Sequence, residues 1–184
     1  MPGASDISLL PDAGPLITLA YAGALHLLFK PGWRVAVVDM VLHEVTRSQT
    51  PTSNQLTAWV ASHKLAVLPT QTFARYQEAA QAAAAAVPAS FASAPKKANL
   101  GELAVQETIN RFALQQPPQH AVLLFEDHRV ARTSFYLPEH CQKVSTRAFL
   151  VFLERKGWIA SASEVERQAI QAGRRFSQLR FPSG

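Results

Sequence analysis

Four carboxylates have the type and placement to act together: Asp12, Glu44, Glu102 and Asp127. Asp12 stands two residues past the apolar run ISLL (7–10), and Asp127 stands two past AVLLF (121–125). Glu44 lies on a helical stretch behind VAVV (35–38), and Glu102 opens another behind Leu100. Carboxylates gathered in one place raise each other's pKa unless protons or a cation neutralise them. A hard divalent ion with a preference for oxygen ligands is the natural occupant, Mg²⁺ first and Mn²⁺ on the same ligands. Such an ion neutralises charge on phosphorus oxygens, activates water and stabilises a leaving oxygen, so the pattern points to metal-dependent hydrolysis of a phosphodiester. Asp12 and Asp127 are the expected direct ligands. Glu102 is expected to be a ligand or to orient water, and Glu44 to act through a water or on a second ion.

Each acid also has an ordinary reading. Asp12 suits an N-cap for a helix opening at Pro15, and Asp127 suits one for His128 to Phe135. Asn99 and Glu102 have the spacing of a capping-box variant, although a Glu there sits at the positive end of a helix and Gly101 permits close approach. Glu44 could be a plain surface residue. Glu126 and Asp127 must point to opposite sides of extended chain; Asp127 is assigned to the site and Glu126 kept in reserve. Asp39 reads as the N-cap of a helix over 40–47. The run His43-Glu44-Val45-Thr46-Arg47 lacks the second histidine of a zinc-protease helix.

The elements that must position these acids alternate between short β-rich runs and helical periods. Strands are expected at 7–10, 35–38, 65–68, 121–125 and 143–145, and helices at 15–28, 40–47, 53–62, 72–87, 100–115, 146–156 and 163–173. Alternation of this kind predicts an α/β fold, a three-layer α/β/α sandwich around a mostly parallel sheet, in a single domain over 1–184. In such sheets ligands bind beyond the carboxyl ends of the strands, where Asp12 and Asp127 fall. Pro88 to Lys97, rich in proline and small residues, is expected to be a mobile loop, and 174–184 a basic C-terminal extension.

Removing the four acids leaves nine acidic residues against 18 Lys and Arg, a basic body around an acidic pit that suits a polyanionic substrate such as RNA. Arg129, Arg132, Arg147, Lys96 and Lys97 are candidates for flanking phosphates, and Arg174, Arg175, Phe176, Arg180 and Phe181 for phosphate contact and stacking. Trp33, Trp59 and Trp158 are expected in the core or at a homodimer face. The lone Cys141 excludes an internal disulfide, and no apolar run approaches bilayer length, so the expected setting is cytoplasmic with no membrane partner. No glycine-rich turn of the dinucleotide-binding kind follows a strand.

In order along the chain, ISLLPDAGPLITLA, VVDMVLHEVTR, NLGELAVQE, AVLLFEDHRVAR and VSTRAFLVFLERKGWI resemble the motifs of the PIN-domain nucleases, which include toxin ribonucleases of the VapC type. The resemblance spans most of the chain. It implies a Mg²⁺- or Mn²⁺-dependent endoribonuclease with Asp12, Glu44, Glu102 and Asp127 as catalytic and metal-binding residues, and Ser145 or Thr146 as a polar contributor at the site edge. It also implies products with a 5′ phosphate and a 3′ hydroxyl, and a toxin-antitoxin setting in which an antitoxin or other protein restrains the enzyme. Two features depart from the family: the late motif carries Glu126-Asp127 rather than paired Asp, and the chain is longer around 80–98 and 174–184. The rival expectation is a non-catalytic RNA- or protein-binding module of the same fold.

Overall fold

The computed structural model describes residues 6–85, 99–126 and 137–175. The expected loop at 88–97, Asp127, the helix expected at 128–135 and the end of the basic extension lie outside the described residues. Five strands form one sheet: β1 (Ile7–Pro11), β2 (Arg34–Val38), β3 (Ala66–Leu68), β4 (His120–Phe125) and β5 (Cys141–Ser145). Their order is β3-β2-β1-β4-β5 and every pairing is parallel. The central strands are near-continuous apolar runs because both faces are covered: Leu9, Leu10, Val35 to Val38 and Ala121 to Leu124 are all buried. One polar side chain interrupts β1. Ser8 is buried, and its Oγ accepts from Gln119 Nε2 at 2.6 Å.

Among the described residues seven α-helices cover the sheet in a three-layer α/β/α sandwich: α1 (Ala13–Tyr21), α2 (Asp39–Thr46), α3 (Pro51–Ser62), α4 (Gln71–Ala85), α5 (Leu100–Ala113), α6 (Thr146–Arg155) and α7 (Ala162–Gln171). Helices α6 and α7 pack on each other, and α7 packs on α1; α4 and α5 pack on each other and on α2. Trp59 is buried, and Trp33 lies beside Phe149 and Phe152, as core tryptophans should. Trp158 meets the edge of Phe152 at the rim and stays partly exposed. Cys141 is buried, and burial pushes its thiol up against a weaker opposing hydrogen bond from the Ala121 backbone. No helix among the described residues is long and apolar enough to cross a membrane.

The helix expected over 15–28 is in fact two pieces. Gly23 adopts φ +64°, its N–H closes on Ala20 O at 3.0 Å and that of Ala24 on Leu19 O at 2.8 Å, so α1 ends there. A 3-10 turn over Leu25–Phe29 follows and still buries Leu25, Leu27 and Leu28, which is why helical periodicity continues through the break. Helix α3 starts two residues earlier than its apolar pattern. Pro51 occupies its first turn and Thr50 and Ser53 form a reciprocal cap.

Candidate carboxylate site

The strand order reverses its direction of growth between β1 and β4: the chain leaves β1 towards β2 and leaves β4 towards β5. That point is the topological switch at which open parallel sheets make a crevice beyond their carboxyl ends. Asp12 follows the last residue of β1 at this edge. Its N–H donates to Leu124 O of β4 at 2.9 Å and its C=O accepts from Leu16 N at 3.3 Å, so its backbone is fixed by both the sheet and α1. It occupies the N-cap position of α1, yet its side chain makes no capping hydrogen bond.

Glu44 projects from α2 and is half-buried. Burial is the main cause that holds its carboxyl above the ordinary value, and the charge of Asp12 adds to the effect, as Glu102 does more weakly. The Gly101 N–H and the Arg47 guanidinium oppose it without cancelling it. Two acids from segments far apart in sequence, the end of β1 and the first turn of α5, therefore act on a third in the middle of α2. The contact with α5 is close. A Cβ on Gly101 would lie 2.7 Å from Glu44 Oε2 and 3.2 Å from its Cδ and Oε1, so glycine is what lets the carboxylate reach the helix backbone.

Glu44 also does work at the start of α5 that was expected of Asn99. Asn99 sits in the left-handed region at φ +62° and makes no side-chain cap, so the expected Asn99–Glu102 capping box is not formed. Glu44 supplies the acceptor at that terminus instead, from another helix. Glu102 acts electrostatically on Lys143 of β5, a cation that sequence reasoning did not single out; burial lowers the Lys143 pKa and Glu102 opposes the shift. A lysine midway along a short, weakly apolar run carried no sign of this neighbour.

Glu126 is buried at the end of β4 and belongs to a different set of contacts. Its Oε2 accepts from Thr18 Oγ1 at 2.8 Å and from Arg174 Nη2 at 2.9 Å. Arg174, expected in a basic extension for phosphate contact, is thus tied into the domain. Arg147, another phosphate candidate, pairs with Glu166. Ser145 Oγ caps α6 by accepting from Ala148 N at 3.1 Å, and buried Thr146 directs its hydroxyl at Phe125 O, 3.4 Å away. Asp39 is the first residue of α2 and not its N-cap, a place Val38 holds; its carboxylate accepts from Met40 N, Thr70 N and Thr70 Oγ1, each at 2.7 Å, and so ties α2 to the turn before α4.

The donor chemistry of Asp12, Glu44 and Glu102 suits a hard divalent cation, and their mutual repulsion is what such a charge would relieve. Among the described residues, no three His, Cys, Asp or Glu side chains are gathered as closely as a metal ion requires. Asp127 lies outside those residues, and Arg129, Arg132, Lys96 and Lys97 do too. Fold and site together define an all-parallel α/β/α protein with interacting acids at its switch point. No family model matches the chain, and no curated protein or solved structure matches it.

Proposed function

We propose that the chain is a PIN-like, metal-dependent endoribonuclease of the cytoplasm, with Asp12, Glu44, Glu102 and Asp127 as its acidic set. The observation that carries this reading is the raised carboxyl of Glu44, held up by burial, by Asp12 and by Glu102 at the switch point of a parallel sheet. A bound Mg²⁺ or Mn²⁺ would neutralise charge at the phosphate and lower the pKa of a water so that it can lose a proton and attack phosphorus. Asp12 and Asp127 would hold the cation directly, Glu102 would hold it or orient the attacking water, and Glu44 would act through a water or on a second ion. Lys143, beside Glu102, is suited to a phosphate oxygen of the substrate. The resemblance extends the reading to 5′-phosphate and 3′-hydroxyl products, and to a toxin restrained by an antitoxin or other protein partner. A homodimer fits the same setting.

The test is cleavage of single-stranded and structured RNA by the purified chain with Mg²⁺ or Mn²⁺, against EDTA and against Asp12→Asn. Cleavage that needs the metal and is lost in Asp12→Asn supports the reading. Cleavage in EDTA, or undiminished in Asp12→Asn, overturns it. The rival is a non-catalytic RNA- or protein-binding module. It draws on the engagement of Glu44 at the start of α5 and on the absence of three gathered ligands among the described residues. RNA binding unaffected by EDTA, without turnover, favours that rival.

A further inference from the structure

Arg174 is an unusual place to find a working arginine. It follows α7 and opens a basic stretch, where charge alone predicts a solvated side chain. Gly173 takes φ +106°, a conformation side-chain-bearing residues rarely adopt, and the chain turns back so that Arg174 N–H donates to Ala169 O at 2.9 Å. The guanidinium is carried against α1: Nε donates to Thr18 Oγ1 and Nη2 to Glu126 Oε2, both at 2.9 Å, while the Thr18 hydroxyl donates to the same Oε2. The result is a closed triangle linking the end of α7, the second turn of α1 and the end of β4.

The triangle is buried. Thr18 is fully buried, and the side chains of Glu126 and Arg174 are 9% and 23% exposed. Glu126 Oε1 is also buried and accepts no hydrogen bond among the described residues, where Arg174 is the main compensation for its charge. On its other side the Glu126 side chain rests on Gly14, where an added Cβ would lie 2.7 Å from Glu126 Cβ and 3.2 Å from Oε2. Glu126 is therefore wedged against the first turn of α1, two residues from Asp12, and Asp12 is itself bonded through its N–H to Leu124, two residues before Glu126.

We propose that Arg174 is a positioning residue of the carboxylate site: by holding Glu126 against Thr18 and Gly14, it fixes the start of α1, and Asp12 with it, relative to the end of β4. The proposal rests on the nuclease reading for its effect on turnover, but its mechanical part does not. Without Arg174, buried Glu126 keeps only the Thr18 hydroxyl as a donor among the described residues and must move, and the contact between β4 and the first turn of α1 loosens. The C-terminal segment up to Arg174 thus belongs to the machinery of the site.

The experiment uses the full chain with Arg174→Met, Arg174→Lys and Thr18→Val. Hydrogen–deuterium exchange at Asp12 and the first turn of α1 is measured beside kcat and KM on RNA with Mg²⁺. Arg174→Met is expected to speed exchange there about tenfold or more while β2 and β3 stay protected, and to lower kcat at least about tenfold with KM within about twofold. Arg174→Lys restores most of both, and Thr18→Val gives a smaller change in the same direction. Unchanged exchange overturns the proposal, as does a uniform loss of protection across the sheet, which would make the triangle merely a stabilising contact. A raised KM with unchanged kcat also overturns it, by making Arg174 a substrate contact. If the wild-type chain cleaves no RNA, the nuclease reading fails, and the exchange measurement alone judges the positioning claim. If Arg174→Met does not fold, Thr18→Val decides, because it leaves the charges paired and the volume nearly unchanged.

Discussion

Replacing Gly101 by alanine should separate the position of Glu44 from the stability of the fold. The added methyl would stand 2.7 Å from Glu44 Oε2, about 0.7 Å short of ordinary contact at 3.4 Å. The obstructing atom is the tip of a flexible side chain, so the carboxylate yields while α5 stays in place. Alanine inside a helix gains about 1 kcal/mol over glycine. Losing the charge-assisted hydrogen bond from Gly101 N–H costs about 1.5–3 kcal/mol, which leaves a net loss of about 0.5–2 kcal/mol. For a chain of this size that lowers Tm by roughly 1–8 °C. Displacement of a catalytic group by about 1 Å costs on the order of a hundredfold in rate, so if Glu44 serves the proposed nuclease, Gly101→Ala should lower kcat roughly ten- to hundredfold. Cleavage of a fluorescent RNA in Mg²⁺, beside thermal unfolding in EDTA, measures both quantities on one preparation. A folded Gly101→Ala protein that cleaves within about twofold of wild type refutes the use of Glu44. One that does not fold refutes the claim that its carboxylate can step aside.

Other outcomes follow from the same contacts. Because the folded-state pKa of Glu44 is raised above 4.5, the native protein holds its proton more tightly than the unfolded chain. Its contribution to stability therefore falls as pH rises above that value, so Glu44→Gln should stabilise the metal-free protein near neutral pH and lose that advantage below pH 4.5, as urea titrations at several pH values would reveal. Gly14→Ala meets Glu126 Cβ, a backbone-proximal atom that cannot swing away, and should cost about 1–3 kcal/mol in chemical denaturation. Asp39→Ala strips acceptors from Met40 N–H, Thr70 N–H and the Thr70 hydroxyl. A shift of the urea midpoint worth about 3 kcal/mol at unchanged slope is expected, and no shift would show that the turn before α4 finds other partners.

The strands were legible where they are buried on both faces, since VAVV and AVLLF carry no polar residue and ISLL only Ser8, which is itself buried. The break at Gly23 was not, because Leu25, Leu27 and Leu28 satisfy a helical period and a 3-10 turn equally well. For the site, the placement of Asp12 past β1 and of Glu102 at a helix start could be read from local pattern, and Gly101 signalled a close approach. What could not be read is which partner approaches. Glu44 and Gly101 meet across two helices, and Arg174 meets Glu126 from within a run of basic residues whose composition argues for solvent. Glu107 shows the same limit. It looks like a surface position on α5, yet it accepts from Gln71 N, Thr72 N and Thr72 Oγ1 and so caps α4. Burial works to raise its carboxyl, but these hydrogen bonds and Arg111 outweigh it and hold the group below its ordinary value.

The parallel pairing of β1 with β4 also dictates an order of assembly. Ile7 to Pro11 lie in register with His120 to Leu124, more than a hundred residues later, and the bond from Asp12 N–H to Leu124 O needs both strands. A chain emerging from the ribosome can form β1, β2 and β3 early, but it has no neighbour for the open side of β1 until β4 is made. The acids then stay unassembled through most of synthesis, and Arg174 arrives last of all. A nascent chain still tethered to the translation machinery, with messenger and ribosomal RNA at hand, would carry the acidic residues without the fold that brings them together.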